Sequence, residues 1–117
     1  MRMISVIIPY YNSENTIIRA LESVVKQTFT DYEVILVDDS STDSSHSIVD
    51  NYMKKHKHVS FKHYCQKNTG PSEARNLGIS KSDADYIAFL DSDDSWVENK
   101  LEIQIKLMKN NEIEIDI

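Results

Sequence analysis

Apolar residues fall along this chain in two alternating rhythms. Residues 4–8 (Ile-Ser-Val-Ile-Ile) are a short β-branched run closed by Pro9, the pattern of a buried strand. Asn12 and Ser13 then offer helix N-caps. Ile17, Leu21, Val24 and Val25 recur at helical spacing and predict an amphipathic helix ending near Gln27. Residues 32–37 read as a second strand that runs straight into Asp38 and Asp39. A polar loop over 40–45 leads to a second helical face marked by Ile48, Val49, Tyr52 and Met53. Residues 59–64 alternate well enough for a third strand at a sheet edge. Gly70-Pro71 opens a short helix, with Pro71 suited to its first turn and Gly78 to its C-terminal cap. Residues 86–90 predict a fourth strand ending in Asp91-Ser92-Asp93-Asp94. Val97, Leu101, Ile105 and Met108 mark a last helix, and residues 112–117 alternate like a strand cut off as it begins.

Strands that alternate with helices, and are themselves almost continuously apolar, predict a parallel sheet covered by helices on both faces. Ligands of such sheets bind beyond the carboxyl ends of the strands. The polar chemistry of this sequence gathers at those ends: 9–12, Asp38-Asp39 and 91–94.

Composition narrows the picture. At 117 residues the chain is one domain, with 40% hydrophobic and 27% charged residues, an ordinary globular balance. Its net charge of −6 argues against general nucleic-acid binding and against an anionic membrane surface. No apolar run is long enough for a membrane span or a signal-peptide core. A single cysteine, Cys65, excludes an intrachain disulfide and fits a reducing compartment. Only Gly70 and Gly78 are glycine, so neither a dinucleotide fingerprint nor a Walker loop is present. Any nucleotide is therefore held by other means.

Asp91-Ser92-Asp93-Asp94 places three carboxylates within four residues, where they repel unless a cation sits among them. Oxygen ligands on a strand-end turn suit a hard ion such as Mg²⁺ or Mn²⁺. The plainer alternative is an acidic turn capping the next helix. Asp38-Asp39 reads either as an acceptor for a ribose hydroxyl or base N–H, or as an Asx-turn opening the 40–45 loop. Arg75 reads as a partner for a diphosphate or an acidic loop, or as a surface ion pair. The basic, His-bearing stretch at 54–58 with His63 reads as a solvated helix end ahead of a metal site, Cys65 carries no nucleophile signature, and Trp96 reads as packing at the start of the last helix, with a sugar contact the alternative because it stands beside the acidic motif.

Four segments taken together resemble a known family. Ser5-Val6-Ile7-Ile8-Pro9-Tyr10-Tyr11-Asn12, Val37-Asp38-Asp39-Ser40-Ser41-Thr42-Asp43, Gly70-Pro71-Ser72-Glu73-Ala74-Arg75-Asn76-Leu77-Gly78-Ile79 and Phe89-Leu90-Asp91-Ser92-Asp93-Asp94 are similar, in order and spacing, to inverting family-two glycosyltransferases of the GT-A fold. The resemblance covers the whole chain. It implies a three-layer α/β/α sandwich with a mostly parallel sheet, the Rossmann-like fold of nucleotide-diphospho-sugar transferases, incomplete at its C-terminus. Residues 1–117 would be the nucleotide-sugar-binding part, with the acceptor-binding part absent.

Matched position by position, the resemblance implies nucleotide contacts from Pro9, Tyr11, Asp39, Asn68, Arg75 and Asp91. Asp39, ahead of Asp38, would take the base. Asp93 would hold a Mn²⁺ or Mg²⁺ ion as the last acid of a DXD motif, with Asp94 extending it. The metal would supply the positive charge that a −6 protein lacks against a diphosphate. The implied partners are a UDP-sugar donor and an unidentified glycan, lipid-linked or protein acceptor. The general base is expected beyond Ile117, since Glu114 and Asp116 have no motif behind them. The implied location is cytoplasmic, peripheral at the inner face of the membrane in a longer protein. An uncovered fourth strand would either be capped by residues 112–117 or pair two copies into a homodimer. The competing readings are a non-catalytic nucleotide-sugar and metal-binding module and, more weakly, a phosphoacceptor receiver domain. The receiver reading fails on strand order, because its acidic pair belongs after the first strand and not the second.

Overall fold

The computed structural model of the chain describes residues 2–111; the strand expected over 112–117 lies outside them. Eight elements alternate: β1 (Ile4–Tyr10), α1 (Ile17–Val25), β2 (Tyr32–Asp38), α2 (Ser45–Lys55), β3 (Ser60–Cys65), α3 (Pro71–Ser80), β4 (Tyr86–Phe89) and α4 (Lys100–Asn111). The strands form one parallel sheet in the order β3-β2-β1-β4, so β3 is an edge as its weaker apolar pattern predicts.

Every residue of β1 and β2 is buried, which is why those strands read as unbroken apolar runs rather than alternating ones. One face packs Val6, Ile8, Val34 and Leu36 against Ile17, Leu21 and Val24 of α1, Val49 and Tyr52 of α2, and Leu101 and Ile105 of α4. The other face packs Ile7, Ile35 and Val37 against Ala74 of α3. The result is the expected three-layer α/β/α sandwich. Each fully buried aliphatic side chain stabilises this core by about 1.5–3 kcal/mol relative to an exposed one. Trp96 packs against the larger core cluster, as expected. No helix among the described residues is long and apolar enough to cross a membrane.

Three local expectations change. Pro9 lies inside β1 rather than closing it. The carbonyls of Ile7 and Tyr10 point to opposite neighbours, accepting from Leu90 N and Asp39 N. Pro9, two residues beyond Ile7, therefore faces the β4 side past the last β1–β4 pair, Ile7 with Phe89. Its missing N–H removes no ladder bond. Helix α1 starts at Ile17 with Thr16 as its N-cap, so Ser13 instead opens the turn before it, its carbonyl accepting from Thr16 and Ile17. Gly78 caps nothing, since α3 runs on to Ser80. A Cβ there would stand 2.5 Å from Ile7 Cγ2, so this glycine is what lets α3 lie close on β1.

Candidate functional site

A cavity of about 480 Å³ opens at the carboxyl ends of the strands, the size of a small-molecule site. Its wall includes Pro9, Tyr11, Asp39, Arg75, Asp91 and Asp93. Five of the six residues matched to nucleotide contacts, and the one matched to metal, thus meet in one place. Asn68 is the exception. It is exposed on the loop between β3 and α3 and is not part of the cavity wall.

The rim after β1 is held by side chains that replace regular structure. Asn12 takes a left-handed φ of 48°. Its Oδ1 accepts from Thr42 N at 2.8 Å and Asp43 N at 3.2 Å, tying the β1 loop to the 40–45 loop. Asn is among the few residues that accept this conformation at small cost. Ser13 Oγ meets Ser92 Oγ at 2.8 Å, and Arg19 Nη2 donates to the Asp93 carbonyl at 2.6 Å, so the acidic turn is fixed from across the cavity.

The pleat of β2 decides between the paired aspartates. Successive side chains of a strand point to opposite faces. Asp38 follows the parity of Leu36 and faces α2, while Asp39 follows Val37 and lines the cavity. Asp39 Oδ1 accepts from Thr69 N at 3.0 Å and Gln66 Nε2 at 2.9 Å, and Oδ2 accepts from Gly70 N at 3.1 Å. Burial works against the charge of this carboxylate, but the hydrogen bonds from Gln66, Thr69 and Gly70 outweigh it and hold the carboxyl below its ordinary value. Gly70, at φ 104°, gives the turn that presents its N–H.

On the opposite wall Arg75 Nη2 lies 3.3 Å from Asp91 Oδ1, with both side chains well exposed. This geometry fits the reading of Arg75 as a group that orients the acidic loop. Asp94 Oδ1 accepts from Ser95 N and is not part of the cavity wall. The Asp93 carboxylate is exposed on that wall, and among the described residues only its backbone carbonyl has a partner. A lone carboxylate of this kind, facing open space beside a second oxygen ligand, fits the donor set of a hard divalent ion that completes its shell with phosphate and water.

A second polar cluster, absent from the sequence reading, lies on the α2 face of the sheet. His63 Nε2 is 2.6 Å from Tyr10 Oη, and His63 Nδ1 is 2.9 Å from Asp50 Oδ1. His46 stacks on His63 with ring centroids 4.3 Å apart and reaches Asp38 Oδ2 with Nδ1 at 2.9 Å. Burial, together with the nearby charge of His46, keeps His63 below its ordinary value despite Asp50. Burial, followed by the charges of Asp38 and Asp50, pushes the Cys65 thiol up. His63 is thus a half-buried group in a network, not part of a solvated basic stretch. Two signals were available: the i,i+4 spacing of His46 and Asp50 on α2, and register. Tyr10 pairs with Asp38 and Asp38 with Cys65, so three polar residues form a row across strands that are otherwise apolar.

Residues 5–117 match the model of glycosyl transferase family 2. The chain belongs to that family. It is 49% identical over 108 residues to an uncharacterized glycosyltransferase of Rickettsia bellii, an alignment covering 92% of this chain and 15% of the relative. It is 38% identical over 111 residues to the Escherichia coli UDP-Glc:alpha-D-GlcNAc-diphosphoundecaprenol beta-1,3-glucosyltransferase WfgD, covering 95% of this chain and 43% of that protein. Among solved structures, S. aureus TarS 1-349 in complex with UDP-GlcNAc superposes with a TM-score of 0.85 at 34% identity, over 94% of this chain and 32% of that one. The family-two chain therefore spans less than half the length of each of these relatives. The GT-A fold expected from the four segments is the fold of these structural neighbours.

Proposed function

We propose that this chain is the donor-binding part of a glycosyltransferase that takes a UDP-sugar and transfers the sugar with inversion. The observation that carries the reading is the convergence of Pro9, Tyr11, Asp39, Arg75, Asp91 and Asp93 on one cavity at the strand ends. The uridine donor is supported by the relatives, since TarS is seen with UDP-GlcNAc and WfgD is named for UDP-Glc.

In this reading Tyr11 and Pro9 flank the base and Asp39 accepts from it, with a carboxylate that its hydrogen bonds already hold in place. Arg75 offers a guanidinium to the diphosphate and steadies Asp91, which faces the ribose. Asp93, with Asp91 beside it, would hold a Mn²⁺ or Mg²⁺ ion. When bound, that ion supplies positive charge to a leaving diphosphate, adding to the guanidinium of Arg75. Acceptor recognition and the general base are assigned to no residue of this chain.

Calorimetry with UDP, in Mn²⁺ and in EDTA, tests the reading. UDP should bind more tightly with Mn²⁺, and Asp93→Asn should lose most of the difference while keeping its circular dichroism. Equal affinity in EDTA would remove the metal from the reading, and absence of UDP binding altogether would remove the function.

A further inference from the structure

We propose that Asp38, His46 and Cys65 form a transition-metal site, best suited to Zn²⁺, on the sheet face opposite Asp39 and independent of the donor cavity. The three ligand atoms come from three elements: the end of β2, the first turn of α2 and the end of β3. His46 Nδ1 lies 2.9 Å from Asp38 Oδ2 and 3.5 Å from Cys65 Sγ, and Cys65 Sγ lies 4.0 Å from Asp38 Oδ2. Tetrahedral zinc, with bonds of about 2.0–2.3 Å, spaces its ligand atoms about 3.3–3.6 Å apart. The three observed separations straddle that range, so an ion can enter with shifts of a few tenths of an ångström. All three residues are among those whose ligand atoms converge within 4.8 Å.

The chemistry of the donors selects the metal. A thiolate, an imidazole and one carboxylate suit a borderline-soft ion and not Mg²⁺. Three protein ligands leave a fourth position for water. Electrostatics favours a cation as well. The Asp38 side chain is 3% exposed, and among the described residues no Lys or Arg pairs with it. A buried carboxylate without a full counter-charge is costly, and a divalent ion would supply one. Cys65 is exposed and the His46 side chain is 42% exposed, so an ion has a way in. On binding, the Cys65 proton passes to solvent and the sulfur bonds the ion as thiolate.

The surroundings carry the orienting contact that zinc-bound histidines usually have. His46 Nε2, the nitrogen left over, is 3.5 Å from Asp50 Oδ2. Asp50 Oδ1 in turn holds His63, whose Nε2 reaches Tyr10 Oη. Asp50 is thus a positioning residue for His46. A rival set, His46 with Asp50 and His63, overlaps this one and would not use sulfur.

The test uses the whole chain, reduced and stripped with EDTA, and titrates it with Co²⁺. One equivalent should bring up a sulfur-to-cobalt charge-transfer band, which Zn²⁺ then abolishes by displacement. Because Cys65 is the only cysteine, the band reports this site alone. Cys65→Ser should lose the band and the bound zinc, while Asp93→Asn should keep both. Asp50→Asn should weaken Zn²⁺ binding on the order of 10–100-fold. A wild-type chain that is folded by circular dichroism yet shows no band at one equivalent overturns the proposal. Zinc content that survives Cys65→Ser but falls in His63→Gln overturns it in favour of the rival set.

Discussion

Asp39 does two things with one side chain: it lines the cavity, and it pins the loop at 66–70 through three donors. Replacing it by asparagine turns an acceptor towards a backbone N–H into a donor, leaving Thr69 or Gly70 unsatisfied. We expect Asp39→Asn to lose about 1–3 kcal/mol of stability by urea denaturation, with weaker uridine binding even in EDTA. The pH dependence has a definite sign. Folding holds this carboxyl below its ordinary value of 3.8, so its contribution is fully present above that value and is lost as pH falls through the lower folded one. The stability gap between wild type and Asp39→Asn should therefore be full at neutral pH and narrow below 3.8. A gap that widens in acid would mean that the loop is held by something else. Asp38→Asn makes a contrasting control, because its side chain faces α2: uridine affinity should change little.

At the scale of elements, the contact of α3 with β1 is the most exacting. Gly78 sits mid-helix, where Ala has the better propensity, so Gly78→Ala would be expected to stabilise an isolated helix by up to about 1 kcal/mol. Here the new Cβ would lie 2.5 Å from Ile7 Cγ2, inside a fully packed layer. Overpacking should win, with a net loss of about 1–3 kcal/mol in chemical denaturation. Ile7→Ala, which removes the clashing Cγ2, should cost less in the Gly78→Ala background than in wild type if the clash is the cause, so the double variant should be more stable than the two single losses add up to. Arg75 is on the same helix, so the double variant also asks whether the seat of α3 sets the distance of Arg75 from Asp91. Sequence pattern located α3 correctly but misread this glycine, because a cap and a close approach both call for a missing side chain and differ only in what lies opposite. Pro9 was misread for a similar reason. Whether proline breaks a strand depends on which neighbour its nitrogen faces, and that is fixed by pairing, not by spacing along the chain.

For the molecule as a whole, the layers were legible because burial on both faces leaves an unbroken apolar run, and the strand ends were legible because polarity switches on abruptly there. Most of the cavity wall followed from the same switch. The cluster of His46, Asp50 and His63 did not: His46 and Asp50 stand one helical turn apart on α2, but the partner that completes the network, His63, comes from β3, and nothing local in the sequence brings it to them. A prediction at this scale concerns activity. On the proposed reading this chain should bind UDP without transferring sugar to an added acceptor, since none of its residues is assigned as the base that inversion needs within hydrogen-bond reach of the acceptor hydroxyl. Robust transfer that is absent in Asp93→Asn would place that base within residues 1–117. The tie between Ser13 and Ser92 spans 79 positions of sequence and joins the first loop to the turn after β4. Between them, among the described residues, runs a parallel sheet in which no strand pair is a local hairpin. Opening the cavity wall by undocking β4 therefore uncovers the central strand as well. A bound nucleotide should accordingly slow amide hydrogen exchange in β1, deep in the sheet, and not only in the loops it touches; at 100 times its Kd the opening would cost about 2.7 kcal/mol more.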